Sequence, residues 1–304
     1  MNLGYACINT GLSANRIMTN RTMRRKTFDA RGSDYVSELA LANVKDLKTI
    51  VQWNNEMGIK LFRLSSQIFP WSDEYDVKDL KDFHEIADLM LDIGKIASDG
   101  GQRLTMHPGP YNCLASPTQK VVDKTIRELN FHSEQFNMMG YDPSPHNKIN
   151  IHVGGAYGDR KSTLARFCKN FQLLNEDTRK RLVIENDDSP NEYSVKDLFD
   201  GVYQVIGIPI TFDYFHHKFN TGGLTEEEAL KMASITWPEG ITQCCHYSES
   251  RRKEKLDESI RPQAHSDLIY EMINTYGLNV DIVIEAKSKE QAIFNYGKKK
   301  IVQL

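Results

Sequence analysis

The chain has 304 residues, a formal net charge of −3 and five cysteines, and no run of about 18 apolar residues, so no membrane-spanning helix is expected. The opening MNLGYACINTGLS has no basic segment ahead of its apolar stretch, which argues against a secretory leader, and an odd cysteine count without framework spacing reads as reduced intracellular thiols. The slightly acidic balance does not advertise nucleic-acid binding, but bound divalent ions and local basic patches can reverse the sign of one face, so that class stays open.

Strand-type segments alternate with amphipathic ones along the whole chain, the pattern of a parallel sheet. Strands are predicted at 3–8, 59–64, 103–107, 148–153, 181–185, 208–213, 241–246 and 279–285. Helices are predicted at 34–57, 79–98, 117–138, 161–175, 194–206, 225–235, 264–276 and 288–295. In the first helix Leu41, Val44, Leu47, Ile50 and Val51 form one stripe, and Gly58 is the expected C-terminal stop. In the second, Leu80, Phe83, Ile86, Ala87, Met90 and Gly94 do the same. No GxGxxG follows the first strand, as a doubly wound sheet binding a dinucleotide would need. Eight units without an internal repeat or linker predict an α/β chain folded as a single (β/α)8 TIM barrel over 1–304, with a short basic tail at 297–304 holding Lys298, Lys299 and Lys300.

Six of these strands end on a metal-ligand residue type. RLTMHPG reaches His107, INIHVGG His152, LVIEND Glu185, ITFDYFHH Asp213 and His216, TQCCHYS His246 and VDIVIEA Glu285. The C-terminal strand ends of a barrel converge on one face, where its active site sits. Core histidines would fall anywhere along the strands, and Glu185, next to Leu182, Val183 and Ile184, would be costly to bury without a cation. Glu185 and Glu285 lie across the barrel mouth, where a carboxylate can bridge two ions. His265 is placed to close a third ion with His216. The mixed nitrogen and oxygen set suits two or three Mn²⁺, Zn²⁺ or Fe²⁺ ions. Such a cluster activates water and clamps the attacking and leaving oxygens of a phosphoryl displacement. The histidine count favours phosphodiester hydrolysis over sugar isomerisation, which stays as the alternative, with Glu185, Asp213 and Glu285 as the catalytic carboxylates.

The segments LGYACIN, NRTMRRK, MHPGPY, IHVGGAYG, LVIENDD, FDYFHHKFN, CCHYSE and VIEAKSKEQA resemble, in the same order from Leu3 to Ala292, the signature blocks of the UV damage endonucleases. These are TIM-barrel repair nucleases related to the apurinic endonuclease IV group. The resemblance implies up to three metal ions, manganese first, and cleavage immediately 5′ of a UV photoproduct to leave a 3′-hydroxyl and a 5′-phosphate. It implies His107, His152, Glu185, Asp213, His216, His246, His265 and Glu285 as ligands, the set read from the strand ends.

It also implies Tyr5 and Asn9 near the lesion, and an aromatic wedge at Tyr111. Where the family pattern has Gln before that Tyr, this chain has Pro110, and where relatives carry a modifiable Lys two residues before His246, it has Cys244. These departures keep a catalytically impaired lesion-binding protein among the alternatives. Basic clusters at Arg16, Arg21, Arg24, Arg25 and Lys26, at Arg160 and Lys161, and at Arg251, Arg252 and Lys253 fall in βα segments facing the site. They are expected to hold damaged double-stranded DNA, with no membrane and no obligate protein partner. The expected location is intracellular, with DNA.

Overall fold

The computed structural model describes residues 1–302, with side chains to 298; Lys299 and Lys300 of the predicted tail lie outside the described side chains. Eight parallel strands form one sheet: β1 (Leu3–Ala6), β2 (Leu61–Leu64), β3 (Arg103–Met106), β4 (Ile149–Ile151), β5 (Leu182–Glu185), β6 (Ile210–Thr211), β7 (Gln243–Tyr247) and β8 (Val280–Ile284). The order β6-β5-β4-β3-β2-β1-β8-β7 is that of a barrel cut once, between β6 and β7. That cut is closed by a parallel bridge from Asp213 to His246 and by the His246 N–H donating to the Phe212 carbonyl at 2.9 Å. The predicted TIM barrel is thus formed, and two expected site residues make its last join.

Helices at Arg25–Glu56, Phe83–Asp99, Gln119–Met138, Arg160–Phe171, Glu226–Ser234 and Glu290–Val302 cover the sheet. The stripe of the first buries Val44, Leu47, Ile50 and Val51 completely. Removing four such side chains from water is worth roughly 1.5–3 kcal/mol each, which fixes the face this helix turns to the sheet. The helix stops as read: Gly58 takes φ +71, which a residue with a Cβ adopts poorly.

One predicted helix is absent. Residues 264–276 form an irregular connection after the short helix Arg251–Lys255, although their apolar spacing looked helical. Two carboxylates take the backbone N–H groups that a helix would use. Glu249 accepts from Tyr270 and Glu271, and Glu254 accepts from Asp267 and Leu268. The Ile273 N–H goes to the Tyr296 hydroxyl. With its donors captured from outside, the segment has no reason to coil. Among the described residues no helix is long and apolar enough to cross a membrane, and all five cysteines are free thiols.

Candidate metal centre

The C-terminal strand ends form a cup in which Glu185, the last residue of β5, is central and buried. Its Oε2 lies 3.3 Å from His107 Nε2, 3.8 Å from His152 Nε2 and 3.1 Å from His246 Nδ1, while its Oε1 lies 3.5 Å from His216 Nδ1. Two groups have donor atoms close enough to hold one cation each: His107 with His152 and Glu185, and Glu185 with Asp213 and His216. Glu185 belongs to both.

The rings are anchored by the nitrogen that faces away from the shared carboxylate or beside it. Nδ1 of His107 is 2.9 Å from the Pro108 carbonyl, that of His216 is 2.8 Å from the Asn186 carbonyl, and that of His265 is 3.1 Å from the Glu285 carbonyl. A carbonyl only accepts, so each Nδ1 carries a hydrogen, which leaves Nε2 as the nitrogen an ion would take. His152 Nδ1 lies 2.8 Å from Asp187 Oδ1, as an ion-pair contact rather than an aligned hydrogen bond.

Asp213 caps the short turn Tyr214–His217: its Oδ1 accepts from the Phe215 and His216 N–H groups, and its Oδ2 is buried with no hydrogen-bond partner. His246 Nδ1 is likewise buried and unsatisfied, lying off the hydrogen-bond line although 3.1 Å from Glu185 and 3.4 Å from Glu285. Unsatisfied buried polar atoms are costly and rare, so two of them aimed into one cup fit a bound cation.

Titration of the ion-free cup follows from crowding. Burial pulls His152 down, but Asp187, Glu185 and Asp213 outweigh it and raise the ring to about 10. Burial is likewise outweighed at His216, raised to about 9 by Asp213 and Glu185. Burial raises Asp213 to about 7, and it pushes His246 down to about 3 with help from Lys148. Glu185 stays well below the usual carboxylate range because His246, His152 and His107 overcome its burial.

The third expected group is only partly assembled. Glu285 lies against His246 and, at 3.6 Å, His265, but its charge is taken by Arg63 of β2 in a close ion pair. His265 comes from the irregular connection rather than from a helix start.

The expected substrate contacts divide sharply. Tyr111 is 90% exposed, with Pro110 beside it at the rim, and a cavity of about 170 Å³ between His107, Pro110, His152 and Glu192 joins this loop to the cup. Tyr5 is not at the mouth. It points outward from β1 into the helix layer, fully buried against Phe62, its hydroxyl donating to Asn54 Oδ1 and accepting from Asn9 Nδ2. Asn9, 1% exposed, caps the turn Thr10–Ser13. Both therefore brace the first βα loop instead of offering a free surface.

Arg21 and Arg160 are also committed elsewhere. Arg21 binds Asp46 at 2.6 Å and the carbonyls of Met18 and Arg16, and Arg160 binds Asp197 at 2.6 Å and the Pro190 carbonyl. Arg16, Arg24, Lys26, Lys161 and Lys253 make no ion pair among the described residues, and they are the cations of these clusters left for an anion.

Sequence reasoning missed the floor of the cup: Arg63, Lys148, Asn150 and Asp187. Lys148, just before β4, and Asn150, within it, are two residues apart in extended backbone and so point the same way, which is the one signal that could have exposed them. Cys244 is buried in the barrel, two residues before His246, with Lys148 as a charged neighbour.

The family model for UV-endonuclease UvdE matches residues 1–303. The chain is 38% identical over 302 residues to a UV-damage endonuclease of Schizosaccharomyces pombe, across 96% of this chain and 49% of that protein. It is 31% identical over 296 residues to a UV DNA damage endonuclease of Clostridium perfringens, across 95% and 68%. The chain spans about half the length of the S. pombe and Neurospora crassa relatives. The crystal structure of SacUVDE superposes over 100% of both chains with a TM-score of 0.85 and 29% identity. A D-psicose 3-epimerase from Clostridium cellulolyticum H10, at 12% identity and a TM-score of 0.55 over 94% and 85%, shares the barrel alone. With a family match over nearly the whole chain, and a cup whose ligand types stand at the strand ends of that same barrel, the chain belongs to the UV-endonuclease UvdE family.

Proposed function

We propose that this chain is a metal-dependent DNA repair endonuclease that nicks one strand immediately 5′ of UV photoproducts, leaving a 3′-hydroxyl and a 5′-phosphate. Abasic and other distorting lesions fall within its range. The observation that carries the reading is Glu185 shared between two donor groups, with Asp213 Oδ2 and His246 Nδ1 unsatisfied beside it. Family membership and the names of the relatives support DNA bearing UV damage as the substrate.

His107, His152, Glu185, Asp213 and His216 would hold two divalent ions, manganese first, and His246, His265 and Glu285 a third. Ions held there supply an activated water and stabilise charge on the attacking and leaving oxygens of an in-line displacement. The residues themselves fix the geometry. Glu185 would serve both sites, and Asp213, tied through Oδ1 to two backbone N–H groups, presents Oδ2 in a fixed direction. His107, His152 and His216 present neutral Nε2 atoms once their protons have left. No side chain is assigned to protonate the departing 3′-oxygen.

Lesion recognition would be by deformability, since damaged steps cost less to unstack than intact ones. Tyr111 would stack in the gap that extrusion leaves, with Pro110 stiffening its loop. The unpaired cations around the rim would bind phosphates.

The test is a cleavage assay with Mn²⁺ on end-labelled duplexes carrying a cyclobutane pyrimidine dimer, an abasic site or no damage. Chelator-sensitive cutting directly 5′ of the dimer, absent from the undamaged duplex, is the expected result. Mn²⁺ binding without cutting of any duplex would overturn the proposal.

A further inference from the structure

Lys148, just before β4, is fully buried inside the barrel and has no carboxylate partner among the described residues. Barrel interiors are packed with branched apolar side chains, and an ammonium group buried without a counter-ion is among the costliest choices a position can make. Its Nζ has three polar neighbours. It donates to Thr211 Oγ1 at 2.9 Å and to Asn150 Oδ1 at 3.1 Å, and it lies 3.1 Å from His246 Nε2.

These contacts close a ring beneath the cup. Lys148 holds Asn150 Oδ1, the Asn150 amide donates to Glu185 Oε2, that oxygen faces His246 Nδ1, and His246 Nε2 returns to Lys148. Every other histidine of the cup is anchored through Nδ1, by a carbonyl or by Asp187. His246 is turned the other way: Nδ1 points at Glu185 and Glu285, and Nε2 is the nitrogen that needs an anchor. With Nδ1 bare for an ion, the ring hydrogen lies on Nε2, and Nζ, its two N–H groups spent on Thr211 and Asn150, receives it through the lone pair of a neutral amine. Among the described residues Lys148 is the polar group that Nε2 meets.

We propose that Lys148 is a positioning residue: through Nε2 it fixes the His246 ring so that Nδ1 faces the Glu285 side of the cup, where His246, His265 and Glu285 would hold an ion. This rests on the metal reading of the cup and not on the identity of the substrate. Residues that orient a metal-bound imidazole from behind typically matter by roughly 10–100-fold in metal affinity.

The experiment measures Mn²⁺ stoichiometry and affinity of the full chain by electron paramagnetic resonance, for wild type, K148M, T211V, H246A and K148M/H246A. K148M keeps stem length and removes every polar contact. It is expected to weaken the most affected Mn²⁺ site roughly 10–100-fold, or to lose one ion. T211V, nearly isosteric, withdraws one anchor of Nζ and is expected to weaken the same site several-fold, which keeps the proposal open to refutation if K148M does not fold.

In the H246A background K148M should add nothing further, because its effect passes through that ring. Wild-type stoichiometry and affinity in a folded K148M or T211V would overturn the proposal, as would an additive loss in the double variant. A wild-type chain that binds no Mn²⁺ would overturn it together with the metal reading.

Discussion

Tyr111→Ala separates recognition from folding because of where the ring sits. With 90% of its surface exposed, the side chain contributes almost no burial, and a surface change of this kind stays within roughly ±0.5 kcal/mol of wild-type stability. On the proposed substrate the same ring gains the whole of its stacking energy on binding, roughly 1–3 kcal/mol for one base. At about 1.4 kcal/mol per decade, that is a loss of roughly 5- to 150-fold in affinity.

The assay is fluorescence anisotropy with Ca²⁺ in place of Mn²⁺ to prevent turnover, on dimer-containing and undamaged duplexes, beside a denaturant unfolding curve. The Kd for the dimer duplex should rise by that factor. The undamaged duplex, which offers no gap to fill, should be held as before. An equal loss on both duplexes would make Tyr111 a general DNA contact, and no loss on either would refute the wedge.

Other consequences concern the cup and its rim. Glu185→Gln removes the charge shared by both donor groups and should lower cleavage by at least about 100-fold while dimer-duplex binding persists, read by parallel gel and anisotropy assays. In the ion-free cup His152 and His216 are raised to about 10 and 9 and so carry protons at neutral pH, which an incoming ion must displace. Mn²⁺ affinity should therefore climb from pH 6 to pH 9, with proton release visible by calorimetry in buffers of different ionisation heat; a flat profile would contradict this. Arg24→Ala should leave stability unchanged and reduce the salt dependence of DNA binding by about one unit of slope. Arg21→Ala should instead cost roughly 1–3 kcal/mol in chemical unfolding, because it releases Asp46 and the carbonyls of Met18 and Arg16.

Much of the barrel could be read from the sequence because each strand is apolar and each stops at a chemically conspicuous residue. His107, His152, Glu185, Asp213, His216 and His246 meet for the same reason: parallel strands bring their ends to one face whatever their separation along the chain. What escaped depends on direction and partners rather than type. Tyr5 lies on one face of the first strand and Gly4 and Ala6 on the other, and nothing in LGYACIN says which face looks into the barrel; the Tyr5 hydroxyl, donating to Asn54 Oδ1 in the helix layer, decides it. Arg21 and Arg160 look like free cations until Asp46 and Asp197, at 25 and 37 residues' distance, are brought against them. The segment 264–276 has helical spacing, but spacing is blind to the Glu249 and Glu254 carboxylates that hold its backbone.

The join between β6 and β7 has a consequence beyond architecture. Asp213 and His246 form the bridge that seals the sheet, and the same two residues hold the unsatisfied atoms that point into the cup. Ions held by Asp213 on one side and His246 on the other would act as rivets across that join. Opening that seam would dismantle the centre, and filling the centre would lock the seam. The His246 amide, bonded to the Phe212 carbonyl across the join, is thus a natural reporter: its exchange with solvent deuterium should slow on loading far more than that of amides between β1 and β2.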